Sequence, residues 1–223
     1  FDGSRGGQIK ANITRNFANG YVRVYGKYLN DHSVAYLPNP VFVTGSDADP
    51  TYTSIANFSI NSNSLHSRNF RPITTLDQAN QVQTYNIDEG MHPKVLAGGF
   101  EAEFDVGGFT VTNRFRYADI SGAFVSPFPG SVTGAQAAAD AIGGPSSSLF
   151  YATGPQAGQI VANPASLGGN GLVANIVTFN TRLNSLDNLT NDLRATTEFD
   201  VGGGSASLTG GFYYSQQDID TAW

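Results

Sequence analysis

The sequence contains no cysteine and few charged residues. With no Cys among its 223 residues, disulfides, cysteine-ligated zinc and a cysteine nucleophile are excluded. Charged residues make up 13% of the chain, against about 25% in an ordinary soluble domain. Only 12 residues are Lys or Arg and the net charge is −6, so nucleic acid is not an expected partner. No apolar run approaches the roughly 18 residues of a membrane-spanning helix.

The chain carries no sign of a natural terminus at either end. It opens on FDGSRGG without a leader peptide, and it stops at Trp223 directly after a long patterned segment. We therefore expect the sequence to be a fragment of a longer protein.

What the sequence has instead is alternation of apolar and polar residues. The hexapeptide EFDVGG occurs twice, at Glu103–Gly108 and Glu198–Gly203, each time between two alternating segments. Alternation with a period of two predicts strands, and the glycines between them predict tight turns. A third pair of alternating segments surrounds NFANG, Asn16–Gly20. The three predicted hairpins span about residues 7–30, 94–120 and 192–217.

Two long segments separate these hairpins, at about residues 31–93 and 121–191. Both are rich in Gly, Pro, Ser and Asn and lack sustained alternation, so we predict long loops. Within the second loop, Ala137–Ile142 favours a helix. Thr133 and Gln136 have the spacing of a capping box before it, and Gly-Gly-Pro follows it as a stop signal.

Tight turns that alternate with long loops are typical of an outer-membrane β-barrel, which has short periplasmic turns and long extracellular loops. We therefore predict an all-β fold, an antiparallel transmembrane β-barrel. Single-chain bacterial barrels begin at about 8 strands, so six strands would be only part of one. Aromatic residues near the strand ends are predicted to form the two membrane girdles: Phe17, Tyr28, Phe104, Phe109, Tyr117, Phe199 and Tyr214.

Two stretches resemble the start of the barrel in TonB-dependent outer-membrane receptors, in particular those of sphingomonad-type alphaproteobacteria. They are GGQIKANITRNFANGYVRVYGKYLNDH, Gly6–His32, and AYLPNPV, Ala35–Val41. The resemblance implies a barrel of about 22 strands around a plug domain, with these six as its first. The plug domain, the TonB box and the rest of the barrel would lie outside this sequence.

The same resemblance implies active uptake of a scarce, large solute across the outer membrane of a Gram-negative bacterium. Such a solute would be a siderophore, a cobalamin-like compound or an oligosaccharide, and the TonB complex would supply the energy through the plug. Two alternatives remain open. One is a passive porin-type diffusion channel without a plug, and the other is a soluble surface-adhesion β-domain whose apolar faces are buried by a second sheet.

Charged residues of the opposite parity are predicted to face the barrel lumen or the plug. Cross-strand and wall-to-plug pairing is favoured for them over direct contact with a substrate. They are Lys10, Arg23, Lys27, Glu101, Glu103, Arg114, Arg116, Arg194, Glu198 and Asp200.

No catalytic, cofactor or metal site is predicted, and the protein is not expected to be an enzyme. Glu103 and Glu198 occupy equivalent positions near two turns rather than a shared cleft, which argues against a catalytic carboxylate pair. The three histidines, His32, His66 and His92, lack metal-ligand spacing.

The long loops contain the predicted substrate contacts. Loops commonly carry binding residues, and aromatic rings stack on sugars and on aromatic siderophores. Packing of these rings within the loops is weighed equally. The candidates are Tyr36, Phe42, Tyr52, Phe58, His66, Phe70, Arg71, Phe124, Phe128, Phe150 and Tyr151.

Overall fold

The computed structural model describes residues 4–36, 38–66, 68–77 and 79–223. Antiparallel β-structure dominates this part of the chain, so the prediction of an all-β fold is confirmed. The described residues divide into two compact units. The sheet unit contains residues 4–33, 91–124 and 181–223, and the insertion unit contains the described residues of 34–90 and 125–180.

Twelve strands are found among the described residues. In chain order they are β1 Arg5–Phe17, β2 Gly20–His32, β3 Phe42–Ser46, β4 Asp49–Thr53, β5 Pro72–Leu76, β6 Val82–Asn86, β7 Met91–Val106, β8 Phe109–Gly134, β9 Leu172–Ser185, β10 Asn188–Val201, β11 Gly204–Gln217 and β12 Asp220–Ala222. The helical elements are α1 Ala135–Gly143 and three short 3-10 helices, Arg68–Phe70, Ile87–Glu89 and Pro164–Gly169. No helix that the structure describes has the length and apolar character needed to cross a lipid bilayer.

The main sheet is antiparallel, with strands in the order β1, β2, β7, β8, β10, β11. β9 also pairs with β8, and β12 pairs with β9. Asp187 bridges the break between β9 and β10. Its carboxylate accepts a 2.9 Å hydrogen bond from the amide of Ile120, and its carbonyl accepts one of 2.9 Å from Asp218. β9 and β10 therefore continue one line of pairing along β8.

The three predicted hairpins correspond to β1–β2, β7–β8 and β10–β11, each closed by two residues. In both EFDVGG copies the two glycines have positive φ, +59° and +83° at Gly107 and Gly108, +50° and +95° at Gly202 and Gly203. Positive φ at both central residues is the type I′ geometry, which matches the twist of the flanking strands. Gly204, the third glycine of this run, begins β11.

The ranges predicted as loops contain strands that the sequence did not indicate to us. Residues 31–93 contain two separate hairpins, β3–β4 and β5–β6, each built from two five-residue strands. Residues 121–191 hold the second half of β8 and all of β9. The second half of β8 contains Pro127 and Pro129. Proline is normally absent from central strands, so these residues argued against a strand here. The alternation from Val177 to Leu183 in β9 was a signal that could have found that strand.

The insertion unit has a small apolar core. Ile73, Ile87 and Val125 are buried together, and Phe70 and Tyr85 pack against them. These contacts join the β5–β6 hairpin and the 3-10 helices Arg68–Phe70 and Ile87–Glu89 to β8, the strand that contains Val125.

The predicted helix is present as α1, but its cap differs from the prediction. The N-cap is Gly134, without a side-chain capping bond, because β8 continues through Thr133. Gln136 instead donates 2.8 Å hydrogen bonds to the Asp140 carboxylate and to the carbonyl of Ser147. The expected stop signal is confirmed, since Gly144 is the C-cap with φ +89°.

Candidate functional site

The main sheet has a polar face on which charged residues of several strands lie side by side. Directly opposite residues of antiparallel strands point to the same side of a sheet. The register places Arg23 of β2 opposite Glu101 of β7, and Glu101 opposite Arg114 of β8. The register places all ten predicted lumen or plug-facing residues on this face: Lys10, Arg23, Lys27, Glu101, Glu103, Arg114, Arg116, Arg194, Glu198 and Asp200.

Glu101 is the centre of the best-connected cluster on the polar face. Its Oε1 accepts a 2.8 Å hydrogen bond from the Tyr21 hydroxyl and lies 3.4 Å from Nε of Arg114. Its Oε2 lies 3.7 Å from Nη1 of Arg23. Arg23 also donates to the Thr14 hydroxyl at 3.1 Å. A cluster of this kind ties β1, β2, β7 and β8 together through side chains as well as through the backbone.

Two further arginines of the polar face have partners that the sequence prediction missed. Arg194 makes a bidentate contact with Asp192, with distances of 2.9 Å and 2.8 Å from its Nε and Nη2. Arg116 donates to the side chain of Asn188 at 3.4 Å. Asp192 and Asn188 share the parity of Arg194 in β10, so alternation could have identified both.

The opposite face of the sheet is apolar and open. All seven predicted girdle residues lie on it by register: Phe17, Tyr28, Phe104, Phe109, Tyr117, Phe199 and Tyr214. Large apolar residues of this face that expose more than half of their surface include Ile9, Ile13, Val24, Leu96, Leu208 and Phe212. Among the described residues, neither of the two-stranded sheets, β3–β4 and β5–β6, pairs with the main sheet.

The tyrosines form a diagonal across the apolar face. Following the register from Tyr28 across β7 leads to Asp119 on β8, and Tyr117 lies two residues closer to the turns. Following it from Tyr117 across β10 leads to Gln216 on β11, and Tyr214 again lies two residues closer to the turns. The diagonal therefore descends by one residue for each strand crossed.

The phenylalanines form a second diagonal, eight residues closer to the turns. On β8, Phe109 lies eight residues from Tyr117. On β11, the residue eight positions before the tyrosine pairs with Phe199 of β10. On β2, the residue eight positions before the tyrosine pairs with Phe17 of β1 and with Phe104 of β7. The two diagonals thus keep a constant separation.

One residue of the apolar face is polar and lacks a partner. The side-chain oxygen of Asn113 is buried and has no hydrogen bond within the described part of the chain. Asn113 stands opposite Ala102 and Leu193. An unpaired buried amide oxygen normally destabilises a fold.

Three of the predicted loop contacts have roles in the apolar packing or ion pairing of the insertion unit. Phe70 packs against the apolar core, and Nε of Arg71 lies 3.4 Å from the carboxylate of Asp88. Phe58 lines an apolar pocket with Ile55 and Leu65. These three positions therefore have a local role that the sequence did not reveal.

The remaining loop candidates have several different partners. Tyr36 and His66 form an edge-to-face pair with centroids 5.1 Å apart, and Phe128 forms another with Phe179 at 5.8 Å. Phe42 lies on β3 and Tyr52 on β4, both exposed. Phe150, Tyr151 and Phe124 lie elsewhere: Phe150 bridges to Ile160, Tyr151 bonds the carbonyl of Gln159, and Phe124 stands opposite Met91.

Two ionisable groups of the insertion unit have shifted pKa values. Burial lowers the pKa of His66, against a smaller opposing effect of a hydrogen bond with the backbone of Ala35. Oδ1 of Asp77 accepts 2.9 Å hydrogen bonds from the amides of Gln81 and Ala79. Its Oδ2 accepts one of 3.0 Å from Gln83. These bonds, that of Gln81 above all, hold the pKa of the Asp77 carboxyl below its usual value.

Two histidines that are far apart in the sequence meet in the sheet unit. The rings of His32 and His92 lie with centroids 3.3 Å apart, and Nε2 of His92 is 2.9 Å from the Asn30 side-chain oxygen. No local pattern indicated this contact, because it depends on the pairing of β2 with β7.

Comparisons with known proteins add no relative to these observations. No protein-family model, curated protein or solved structure matches the chain.

Proposed function

We propose that the chain forms six neighbouring strands in the wall of an outer-membrane β-barrel, within an active transport receptor of the TonB-dependent type. The observation that carries this proposal is the pair of parallel aromatic diagonals on the apolar face. Girdles of aromatic residues mark the two membrane interfaces of such barrels.

The slope of the diagonals supports a tilted barrel wall. A descent of one residue per strand is about 3.3 Å along the chain for about 4.8 Å across it, which gives an angle of about 35°. Strands in outer-membrane barrels tilt by about 35–45°. Eight residues span about 26 Å along a strand. At that tilt this corresponds to a height of about 22 Å, close to the roughly 25 Å apolar band of such barrels.

The exposure of the apolar face argues against the soluble adhesion domain. A soluble protein rarely leaves a contiguous apolar patch of this extent open to water. In the proposed barrel this face contacts lipid, and the face with Glu101 and the arginines lines the interior. Charges inside a barrel wall are expected, whereas charges on its lipid face are costly.

The chain layout and the resemblance of Gly6–His32 and Ala35–Val41 favour a receptor over a porin. The three turns have two residues each, whereas the connections at the other end hold the whole insertion unit. In a TonB-dependent receptor that end faces the outside and selects the solute. The proposed cargo is a scarce, large solute such as a siderophore, a cobalamin-like compound or an oligosaccharide. A plug domain and the TonB complex would be the partners, and the chain would have no catalytic role.

An arginine scan of the two faces tests the membrane placement. Leu193 is central on the apolar face, and Thr196 is a neighbour on the polar face of the same strand. In the intact outer-membrane protein, Leu193→Arg should lower stability by about 2–4 kcal/mol, whereas Thr196→Arg should have a much smaller effect. Heat-modifiable mobility in detergent gels measures the folded fraction. Equal effects of both variants, or extraction of the wild type without detergent, would contradict the proposal.

A second experiment separates the receptor from the porin. Cells that express the intact protein are compared with and without a functional TonB complex, under iron or carbohydrate limitation. An active receptor requires TonB for uptake of its solute. Uptake that continues at the same rate without TonB would instead support a passive channel.

A further inference from the structure

Two lysines stand directly opposite each other on the polar face. The register pairs Lys10 of β1 with Lys27 of β2. Side chains in such a pair start about 5 Å apart at Cβ, and like charges at this position destabilise a sheet. A pair of this kind is unexpected in a chain whose net charge is −6.

Arg116 of β8 adds a third cation to the same place. Together with Asn12 and Tyr25, the three cations surround a depression of about 310 Å³ on the polar face. One Arg116 N–H bonds the side chain of Asn188 at 3.4 Å. In the part of the chain that the structure describes, no further bond of this guanidinium is found, which leaves its other N–H groups, of five in total, for a ligand.

Small residues form the base of this basic depression. Ala97, which lines it, is 8% exposed, and its cross-strand partner Ala118 is fully buried. Gly99 has no side chain, so the Tyr25 ring can lie across it. The Tyr25 hydroxyl donates a 3.3 Å hydrogen bond to the carbonyl of Phe115. A side chain at Gly99 would collide with that ring. The depression is thus bounded by fixed elements rather than by the lysines alone.

The carboxylates of the described residues do not neutralise these cations. None of them lies within salt-bridge distance of Lys10, Lys27 or Arg116. Glu101 lies two residues along β7 from Gly99, the residue opposite Arg116, and it already forms ion pairs with Arg23 and Arg114. Three cations around a common space, with no carboxylate of the described residues paired to them, favour the binding of an anion there.

We propose that the basic depression is a binding site for a small polyanionic solute that carries carboxylate or phosphate groups. The Arg116 guanidinium provides planar, paired donors for such a group, and the two lysines provide point charges. The Asn12 side chain adds a neutral donor. A pocket near 300 Å³ is at the lower end of the range for small-molecule sites. The inference concerns binding alone and does not rest on the proposed transport function.

Calorimetric titration of the intact, detergent-solubilised protein tests the site. The probes are citrate and inorganic phosphate, with glucose as a neutral control. The wild type should bind citrate, and Lys10→Gln/Lys27→Gln should bind it at least tenfold more weakly. The matched control is Lys94→Gln, which removes the same charge from a position of the other parity on β7 and should bind like the wild type.

Thermal unfolding without ligand gives a second readout, which separates a binding role from a structural one. Removing a like-charge pair should leave the melting temperature of Lys10→Gln/Lys27→Gln equal to or above that of the wild type. Citrate should raise the melting temperature of the wild type and not that of the double variant. Absence of citrate and phosphate binding in the wild type, or equal binding in the double variant, would overturn the proposal. Failure of TonB-dependent uptake would leave this binding result intact.

Discussion

The hydroxyl of Tyr21 on β2 donates a 2.8 Å hydrogen bond to Glu101 on β7, the same carboxylate that faces Arg23 and Arg114. Both arginine side chains are about half exposed, whereas that of Glu101 is 21% exposed. The hydrogen bond therefore holds the carboxylate in place, and solvent screens its attraction to the two arginines only in part.

Replacement of this carboxylate should weaken the sheet unit modestly. We expect Glu101→Gln to lower the free energy of unfolding by about 1 kcal/mol, since exposed ion pairs contribute little. The matched control is Glu103→Gln on the same strand and face, for which no ion pair is found among the described residues. Chemical denaturation of the intact protein measures both. An equal loss in the two variants would show that the cluster has no special role.

The contact itself can be tested by a double-mutant cycle. Tyr21→Phe should destabilise the wild type but have little effect in a Glu101→Ala background, because that background lacks the hydrogen-bond acceptor. Independent, additive effects of the two substitutions would contradict the contact.

Asn113 is a site where a substitution should stabilise the protein. Its side-chain oxygen is buried without a partner on the apolar face. We expect Asn113→Val to raise the free energy of unfolding by about 1–2 kcal/mol, because the unpaired amide is removed. Thr112→Val, the adjacent change on the polar face, serves as the control and should not stabilise. A loss of stability in Asn113→Val would mean that the amide has a partner in the intact protein.

The turn after β5 should respond to pH through Asp77. Its folded-state pKa is lowered by hydrogen bonds, so the carboxylate stabilises the turn above the unfolded pKa. That stabilisation should disappear as the pH falls through the folded pKa. The measurement is the protection factor of the Gln81 amide against hydrogen exchange, corrected for the intrinsic rate. In Asp77→Asn the protection should be lower at neutral pH and nearly independent of pH, and an unchanged pH profile would exclude Asp77 as the cause.

The glycines of the EFDVGG turns should differ in their tolerance to substitution. Gly202 has φ +50°, which asparagine adopts readily, whereas Gly203 has φ +95°, where other residues are strained. No neighbouring atom would contact a Cβ at either position, so the backbone alone decides the cost. We expect Gly202→Asn to be nearly neutral and Gly203→Ala to destabilise by about 1–2 kcal/mol. Equal melting temperatures for the two variants would contradict the type I′ assignment.

Local patterns predicted much of the sheet. Alternation is a direct consequence of strand geometry, so it located β1, β2, β7, β10 and β11 and assigned their faces. It did not locate β9, where Asn175 and Thr181 interrupt the apolar parity, or the five-residue strands of the insertion unit, which are too short for a pattern.

Contacts between distant segments could not be predicted from the sequence. Arg23 faces Glu101 only because β2 and β7 pair in one particular register. For the loop candidates, the sequence favours substrate contact and packing within the loops equally; in the folded insertion unit Phe70 packs on an apolar core and Arg71 has an acidic partner. Composition describes which residues a loop contains, whereas the partners depend on how the whole chain folds.

The insertion between β2 and β7 starts and ends at residues that bond to each other. The amide of Ser33 donates to the carbonyl of Met91 at 2.9 Å, and the amide of Met91 donates to the carbonyl of Ser33 at 2.8 Å. The pairing of these two strands is therefore complete at the point where the insertion leaves the sheet. Because the entropy cost of closing a loop grows slowly with its length, this segment can change in length and sequence at little cost to the pairing of β2 with β7. We expect related proteins to differ in this segment while keeping the pairing of β2 with β7.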